Sequence, residues 1–391
     1  MLEIDMAHCT GCGACVQKCP KRCISLGTKE LGHVFPIIDK KNCIDCNLCE
    51  KVCPINQPIQ KPEKQGFFAI VSRDIDVLMH STSGGFFTVA AKYVLNKGGL
   101  VYGCSFENHF RARHIRIDDE NELWKLRGSK YIQSDTNNTF HEAEKDLKSG
   151  RYVLFTGTPC QIAGLYAFLG RPYENLLTVD IVCHGVGSQA FFDKYMNDFE
   201  NHYGSVKELH FRDKEQAGWS CGGSFSVMKK GKTVRQSYYD YNNYYYYYFL
   251  HGDIYRQSCY SCKYANTNRP GDFTMGDFWG VEKYDLPISS SKGCSLVIAN
   301  TSRAQELLKV LENQIDIAAV TMEQAIKANG QLSHPTAESP EREALIHQFA
   351  SLSGGEIRRL FRKNHKQAIF KLWIKAMIPF SVRQKLRKIM R

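Results

Sequence analysis

The sequence contains no stretch of about 18 uncharged apolar residues, which is what a bilayer-crossing helix requires. No secretory leader is visible, because candidate metal ligands begin almost at once, at Cys9. The GxGxxG turn of the familiar dinucleotide-binding fold is missing. Most of the chain also lacks any surplus of positive charge. Residues 352–391 hold twelve Lys or Arg and one acid, Glu356, which accounts for the whole formal charge of +11. The rest of the 391 residues balance at 39 basic and 39 acidic side chains. That balance excludes a basic body built to grip nucleic acid.

Cysteine is abundant, with 16 residues. Eight of them form two runs, Cys9-x2-Cys12-x2-Cys15-x3-Cys19-Pro20 and Cys43-x2-Cys46-x2-Cys49-x3-Cys53-Pro54. This is the spacing of a two-cluster bacterial ferredoxin. Three thiolates, each separated from the next by two residues, wrap one corner of a cubane, and the fourth reaches the other cluster. The spacing therefore assigns Cys9, Cys12, Cys15 and Cys53 to one [4Fe-4S] cluster, and Cys43, Cys46, Cys49 and Cys19 to a second. Gly11 and Gly13 relieve crowding where the loop bends, and Pro20 and Pro54 turn the chain. Zinc also takes Cys-x2-Cys pairs, but two complete runs fit iron and sulfur better. Cysteines concentrated at such spacings point to a reducing, cytoplasmic compartment and against disulfides. Cys23 is spare and reads as buried filler.

The length suits two or three domains. Residues 1–56 form the ferredoxin-like module, and 57–65 read as a linker. From 66 to 300 strands alternate with helices: strand 66–71, helix 86–96, strand from Leu100, helix 141–148, strand 152–155, helix 161–169, strand 176–183. The pattern predicts a layered α/β domain, with 206–235 more antiparallel. Residues 301–353 read as a helical extension and 354–391 as a basic amphipathic tail. The fold class expected is thus α+β and α/β: a small ferredoxin domain joined to a larger layered α/β domain. The tyrosine-rich stretch from Tyr238 fits either a ring-lined pocket wall or a partly buried element at a seam between domains.

Six segments then carry a resemblance: HSTSGGFFT at 80–88, LRGSKYIQS at 126–134, GTPCQIAGL at 157–165, VDIVCHGV at 179–186, SCYSC at 258–262 and GDFTMGDFWG at 271–280. Together they resemble the coenzyme F420 hydrogenase/dehydrogenase beta-subunit family over residues 1 to about 300. The resemblance implies an iron-sulfur flavoprotein with an FAD-binding α/β domain, exchanging electrons with ferredoxin or another redox protein. It leaves three destinations open: a small-molecule substrate, with polysaccharide biosynthesis as one setting; a partner enzyme that this chain serves as an electron-transfer subunit; or F420 itself.

The residues themselves agree. Ser81, Ser83, Gly84, Gly85 and Thr88 gather small side chains and hydroxyls before a helix, where backbone N–H groups suit the FAD pyrophosphate; an ordinary helix cap is the alternative. Arg127, Gly128, Ser129 and Lys130 add two cations and an open backbone, suited to phosphate or the flavin ring edge, or to a solvated basic turn. Cys160 and Cys183 each sit just beyond a predicted strand, and Cys259-x2-Cys262 follows the tyrosines. Loops at one sheet edge can unite these four thiols into a third [4Fe-4S] cluster, similar to the one the family holds beside FAD. Core cysteines plus a metal-free or zinc-like pair are the alternative, and Cys221 in GWSCGG is the substitute ligand. His184, beside Cys183, is a proton donor candidate or orients the cluster loop. Asp277 faces the flavin or holds its turn, and Asp272 is similar. Lys214, Glu215 and Trp219 are candidates for the substrate side, or a charged hairpin loop.

In the tail, Ile369, Leu372, Trp373, Ala376 and Met377 share one helical face, and VRQKLRKIMR repeats the theme after Pro379 with Leu386 and Ile389. Such a helix suits peripheral contact with an anionic membrane at its inner, cytoplasmic face, a dock on the protein body, or a disordered basic end.

Overall fold

The computed structural model describes residues 7–57, 65–229, 231–378 and 382. Most of the expected linker, 58–64, and the tail stretch holding Leu386 and Ile389 lie outside the described residues. The ferredoxin module pairs β1 (Ile24–Thr28) and β2 (Val34–Ile38) antiparallel, and the short helices Ala14–Lys18 and Leu48–Lys51 pack together. Gly11 and Gly13 take left-handed backbone angles, φ 65° and 83°, which glycine adopts without strain.

The large domain is built on an eight-stranded mixed sheet. Its strands are β3 (Gly66–Ser72), β4 (Leu100–Glu107), β5 (Arg111–Ile117), β6 (Val153–Gly157) and β7 (Leu176–Ile181). A separate three-stranded antiparallel sheet holds β8 (Val206–His210), β9 (Gly223–Lys229) and β10 (Lys232–Tyr238). The main sheet is completed by β11 (Phe273–Asp277), β12 (Ser295–Ala299) and β13 (Ile315–Ala319), in the order β13-β3-β12-β11-β7-β6-β4-β5. β11, β7, β6 and β4 run parallel, and the flanking pairs are antiparallel.

The parallel strands are apolar on both faces, as a doubly covered sheet requires. Val101 and Leu154 pack under helix Phe86–Asn96, while Leu100, Tyr102, Val153 and Phe155 face helices Thr139–Lys148 and Pro159–Leu169. The strand period of two sends alternate residues to opposite layers. The expected strands and helices of 66–183 appear with ends shifted by a residue or two, and the antiparallel expectation for 206–235 holds. The expected helical extension at 301–353 differs. Ile315–Ala319 is an edge strand beside β3, so the sheet continues past residue 300. A five-residue strand between helices gives too short a pattern to register.

Helix Tyr244–His251 resolves the tyrosine stretch. Asn243 caps it by accepting from Tyr246 N, and Gly252 closes it in the left-handed region. Tyr244 to Tyr248 are buried in an aromatic core with helix Gln189–Tyr203, the small sheet and the C-terminal helices. They pack a seam and do not wall an open pocket. No helix among the described residues is long and apolar enough to cross a membrane.

The module is keyed into the large domain. Cys12 O accepts from Thr136 Oγ1 at 3.0 Å, and Phe140 N and His141 Nε2 donate to the side chain and backbone of Gln17 at 3.0 and 2.7 Å. A Cβ on Gly164 would lie 3.0 Å from Cys12 Sγ. Lys263 Nζ donates to Pro54 O at 2.7 Å.

Candidate functional site

The predicted thiol sets come together in space. Cys15 is pushed up to about 12 by burial and by Cys9 and Cys53. Cys12 is raised by burial, then by Cys15, Cys160 and Cys9. Burial leads in both, and neighbouring sulfurs add to it, so these thiols lie near one another in a dry place, where a cationic metal would favour the thiolate. Cys19, Cys43, Cys46 and Cys49 line one hollow with Ile24, Ile38 and Leu48. The spare Cys23 completes that wall, its Sγ 3.4 Å from Cys19 Sγ.

The third set spans distant segments. Cys160 lies in the first turn of helix Pro159–Leu169 after β6, and Cys183 lies just past β7, the neighbouring parallel strand. Cys259 and Cys262 arrive on the turn after the tyrosine helix. Cys183 is raised by burial and then by Cys259, Cys160 and Cys262; Cys160 is pushed up to about 11 and Cys259 to about 12, burial leading in both. Cys221, the substitute ligand, is exposed on the wall of the cavity beside this set and is not among the thiols that chiefly raise Cys183, Cys160 or Cys259. Among the described residues no three His, Cys, Asp or Glu side chains close round a single metal ion.

Two arginines that sequence reasoning missed organise these sulfurs. Arg256 is fully buried. It donates to Cys9 O at 3.2 Å, Val34 O at 2.6 Å and Gln133 Oε1 at 2.9 Å, and lies over the Phe35 ring. Burial lowers its pKa, while Cys9 and Cys12 of the first set and Cys259 and Cys160 of the third support its charge. Arg269 forms a buried ion pair with Asp180 at 2.8 Å, and also binds Tyr264 O and Ile181 O. It ties the Cys262 turn to the end of β7. No local sequence signal marks either arginine.

A cavity of about 390 Å³ opens beside the third set, at the C-terminal ends of parallel strands where α/β sheets bind ligands. Ser81, Ser83, Gly85, Thr88, Arg127, Gly128, Ser129 and Lys130 line it. Gly84 does not: its N–H donates to Ser295 Oγ at 2.9 Å, and an added Cβ would sit 2.1 Å from Ile70 O. It is the close-approach glycine of the sheet and not a ligand contact. The hydroxyls of Ser81 and Ser83 donate to Val77 O and Cys294 O. Lys130 Nζ donates to Lys125 O and Arg127 O, and burial lowers it to about 8. Thr88 Oγ1, Arg127 Nε and Arg212 Nη2 are buried with no hydrogen-bond partner. Such orphans call for a guest. Helix Phe86–Asn96 starts at Gly85 (φ 91°) without a side-chain cap, so its first N–H groups suit an anion.

His184 lines the cavity mouth, where its ring is exposed although the surrounding protein still holds its pKa below the ordinary value, with Asp277 pulling upward. Asp277 also lines it, but its carboxylate is engaged: it pairs with Arg212 and accepts from Trp219 Nε1 at 2.8 Å. Trp219 stacks on Trp279, with Arg212 over the same Trp279 ring. Asp277 is therefore a clamp for Arg212, a cavity residue that the sequence reading passed over. Lys214, buried, holds Leu78 O and Ser83 O, and Glu215 pairs with Arg235 at the surface. Asp272 binds Thr178 and Arg303 away from the cavity.

Comparison with known proteins places these features. Residues 150–325 match the family described as the C terminus of the coenzyme F420 hydrogenase/dehydrogenase beta subunit, and residues 8–57 match the 4Fe-4S dicluster domain. The chain belongs to the F420 hydrogenase/dehydrogenase beta-subunit family, with an N-terminal 4Fe-4S ferredoxin domain. Within this family member, the first match spans Cys160, Cys183, Cys259 and Cys262, and the second spans all eight module cysteines. The loops 81–88 and 127–130 lie outside both. An uncharacterized ferredoxin of Methanocaldococcus jannaschii is 32% identical over 65 residues, 16% of this chain and 83% of that protein. A chain of the F420-reducing [NiFe] hydrogenase complex from Methanosarcina barkeri is 17% identical, covers 71% of this chain and 91% of that one, and has a TM-score of 0.45. The protein is an iron-sulfur oxidoreductase that moves electrons through its clusters.

Proposed function

We propose that the chain is an electron-transfer unit. It exchanges electrons with a ferredoxin or another redox protein, conducts them through three [4Fe-4S] clusters to FAD in the cavity, and serves an F420-type carrier or a partner enzyme. One observation carries the reading: sulfur and cavity are continuous. Cys160 of the third set helps to raise the Cys12 thiol of the first, and Thr158, Val182 and His184, which flank Cys160 and Cys183, line the cavity.

The residues present fit these groups. Each set offers four thiols, Arg256 supplies a buried cation between two of them, and the orphaned donors of Arg127 and Arg212 suit phosphate or carbonyl oxygens. A bound flavin converts single electrons into a two-electron hydride step. The chain's own part is to bind and orient. The backbone N–H groups of Gly85 to Thr88 would hold the pyrophosphate, with Arg127, Gly128, Ser129 and Lys130 supplying further backbone and positive charge beside it, and Asp277 fixes Arg212 against Trp279. His184 is the group able to exchange a proton at the mouth.

A second reading gives the chain a small-molecule substrate of its own, such as a polysaccharide intermediate. The tyrosine helix favours the transfer unit: of the described tyrosines only Tyr131 and Tyr255 line the cavity. Anaerobic purification with iron, sulfide and flavin measured on one sample tests the scheme. About twelve irons and one FAD per chain are expected. Eight irons remove the third cluster, and no flavin after reconstitution removes the flavin assignment. Bleaching of the visible bands by reduced F420 or reduced ferredoxin then separates the two donors.

A further inference from the structure

Helix Lys366–Met377 carries apolar residues on two faces. On the inner face, Ala368, Ile369 and Leu372 pack against the aromatic core, and the preceding His365 sits against Tyr247 and Phe361. This face divides the stripe the sequence suggests, because Trp373 and Met377 turn outward. On the outer face Phe370, Trp373, Ile374 and Met377 are 59, 44, 46 and 66% exposed. Their spacing is i, i+3, i+4, i+7, a second stripe along one side of the helix. Phe370 and Trp373 stack at 5.9 Å between ring centres. The inner contacts hold the helix flat along the body, so the outer stripe projects as a ridge.

Charge identifies what covers that ridge. Lys366 and Lys371 on this helix and Arg359, Arg362 and Lys363 on the preceding one are exposed. The whole tail holds twelve cations against Glu356, while the rest of the chain is neutral. A second copy would set two such basic faces against each other. A groove on a partner protein could take the same four anchors, but an apolar groove leaves the flanking exposed cations unanswered. Nucleic acid would use the cations and leave four apolar side chains in water.

We propose that the outer stripe docks the protein on an anionic lipid surface, with the aromatic rings at headgroup level and the lysines and arginines on lipid phosphates. The surface is independent of the redox reading, and each stands or falls alone.

The test is co-sedimentation of the full-length, anaerobically purified protein with vesicles of phosphatidylcholine, alone or mixed with phosphatidylglycerol. Partition onto the mixed vesicles is expected to be roughly tenfold or more greater, and to fall as salt is raised. The double variant Phe370→Glu/Trp373→Glu should lose that partition with iron content unchanged. Absence of binding by the unaltered protein, or equal binding by the variant, overturns the proposal. So does a dimer on size exclusion that the variant dissolves, since the ridge is then an interface between copies.

Discussion

Cys46 stands exposed at the rim of the ferredoxin module, whereas Cys160, Cys183, Cys259 and Cys262 meet inside the large domain. The outer set needs only a short loop with Cys19 reaching back. The inner set needs two neighbouring strands, a helix start and a remote turn, all held in register. An outer set of this kind meets a redox partner with little rearrangement, while an inner set takes its properties from a framework it does not contain. Tampering should therefore spread differently from the two places.

The largest effect is expected from Arg269→Ala. It strands Asp180 in the core and should cost about 3–5 kcal/mol, read as a lower midpoint of thermal or denaturant unfolding. It should also release about four irons, those of the inner set. Cys46→Ser should release as many and leave the midpoint nearly unchanged. Equal destabilisation by the two would break the contrast. Arg256→Gln removes the cation shared by the first and inner sets. It should cost about 1.5–3 kcal/mol from lost charge-assisted bonds, and both sets should become harder to reduce in an EPR-monitored titration. The set holding Cys46 should keep its potential, and Arg256→Lys should restore part of the shift.

Lys214 sharpens the comparison through pH. Burial, then Arg212, lowers it from 10.5 to about 7. Below about 7 the lysine is charged in both the folded and unfolded protein, and the full penalty of burial applies. As pH rises toward its ordinary range the folded protein sheds that proton first. Stability should therefore rise relative to Lys214→Met by at most about 1.4 kcal/mol per pH unit, measured as the difference between two chemical unfolding series. A flat difference would show that the ammonium stays hydrated. The smallest pair lies in the tyrosine helix. Tyr246 has a buried hydroxyl without a partner, while Tyr245 donates to Tyr131 O at 2.8 Å. Tyr246→Phe should be neutral or stabilising, and Tyr245→Phe destabilising by about 1 kcal/mol.

What the sequence discloses follows the same division. The eight module cysteines are legible because their geometry is local. Of the inner four, Cys160 and Cys183 stand out by their places just beyond neighbouring parallel strands, which deliver their C-terminal loops to one edge, and Cys259 and Cys262 by their Cys-x2-Cys spacing. Arg256 and Arg269 are invisible because their acceptors, Cys9, Val34 and Asp180, lie 247, 222 and 89 residues away. Gly84 and Gly85 look alike in the chain; only the crossing of β3 and β12 decides that one packs and the other faces the cavity. Asp277 reads as facing a flavin or holding its turn until Arg212 and Trp219 arrive from the connection between β8 and β9. In the tail, two overlapping stripes with the same spacing compete, and the position of the aromatic core decides which is covered.

Arg256 also limits how such a chain can be cut and rejoined. Its guanidinium belongs to the large domain, yet two of its acceptors are main-chain oxygens of the module, and an added methyl at Gly11 would sit 2.6 Å from it. A foreign ferredoxin grafted at the linker satisfies that buried charge only where its loops bring two carbonyls to the same places and keep a glycine at the position of Gly11.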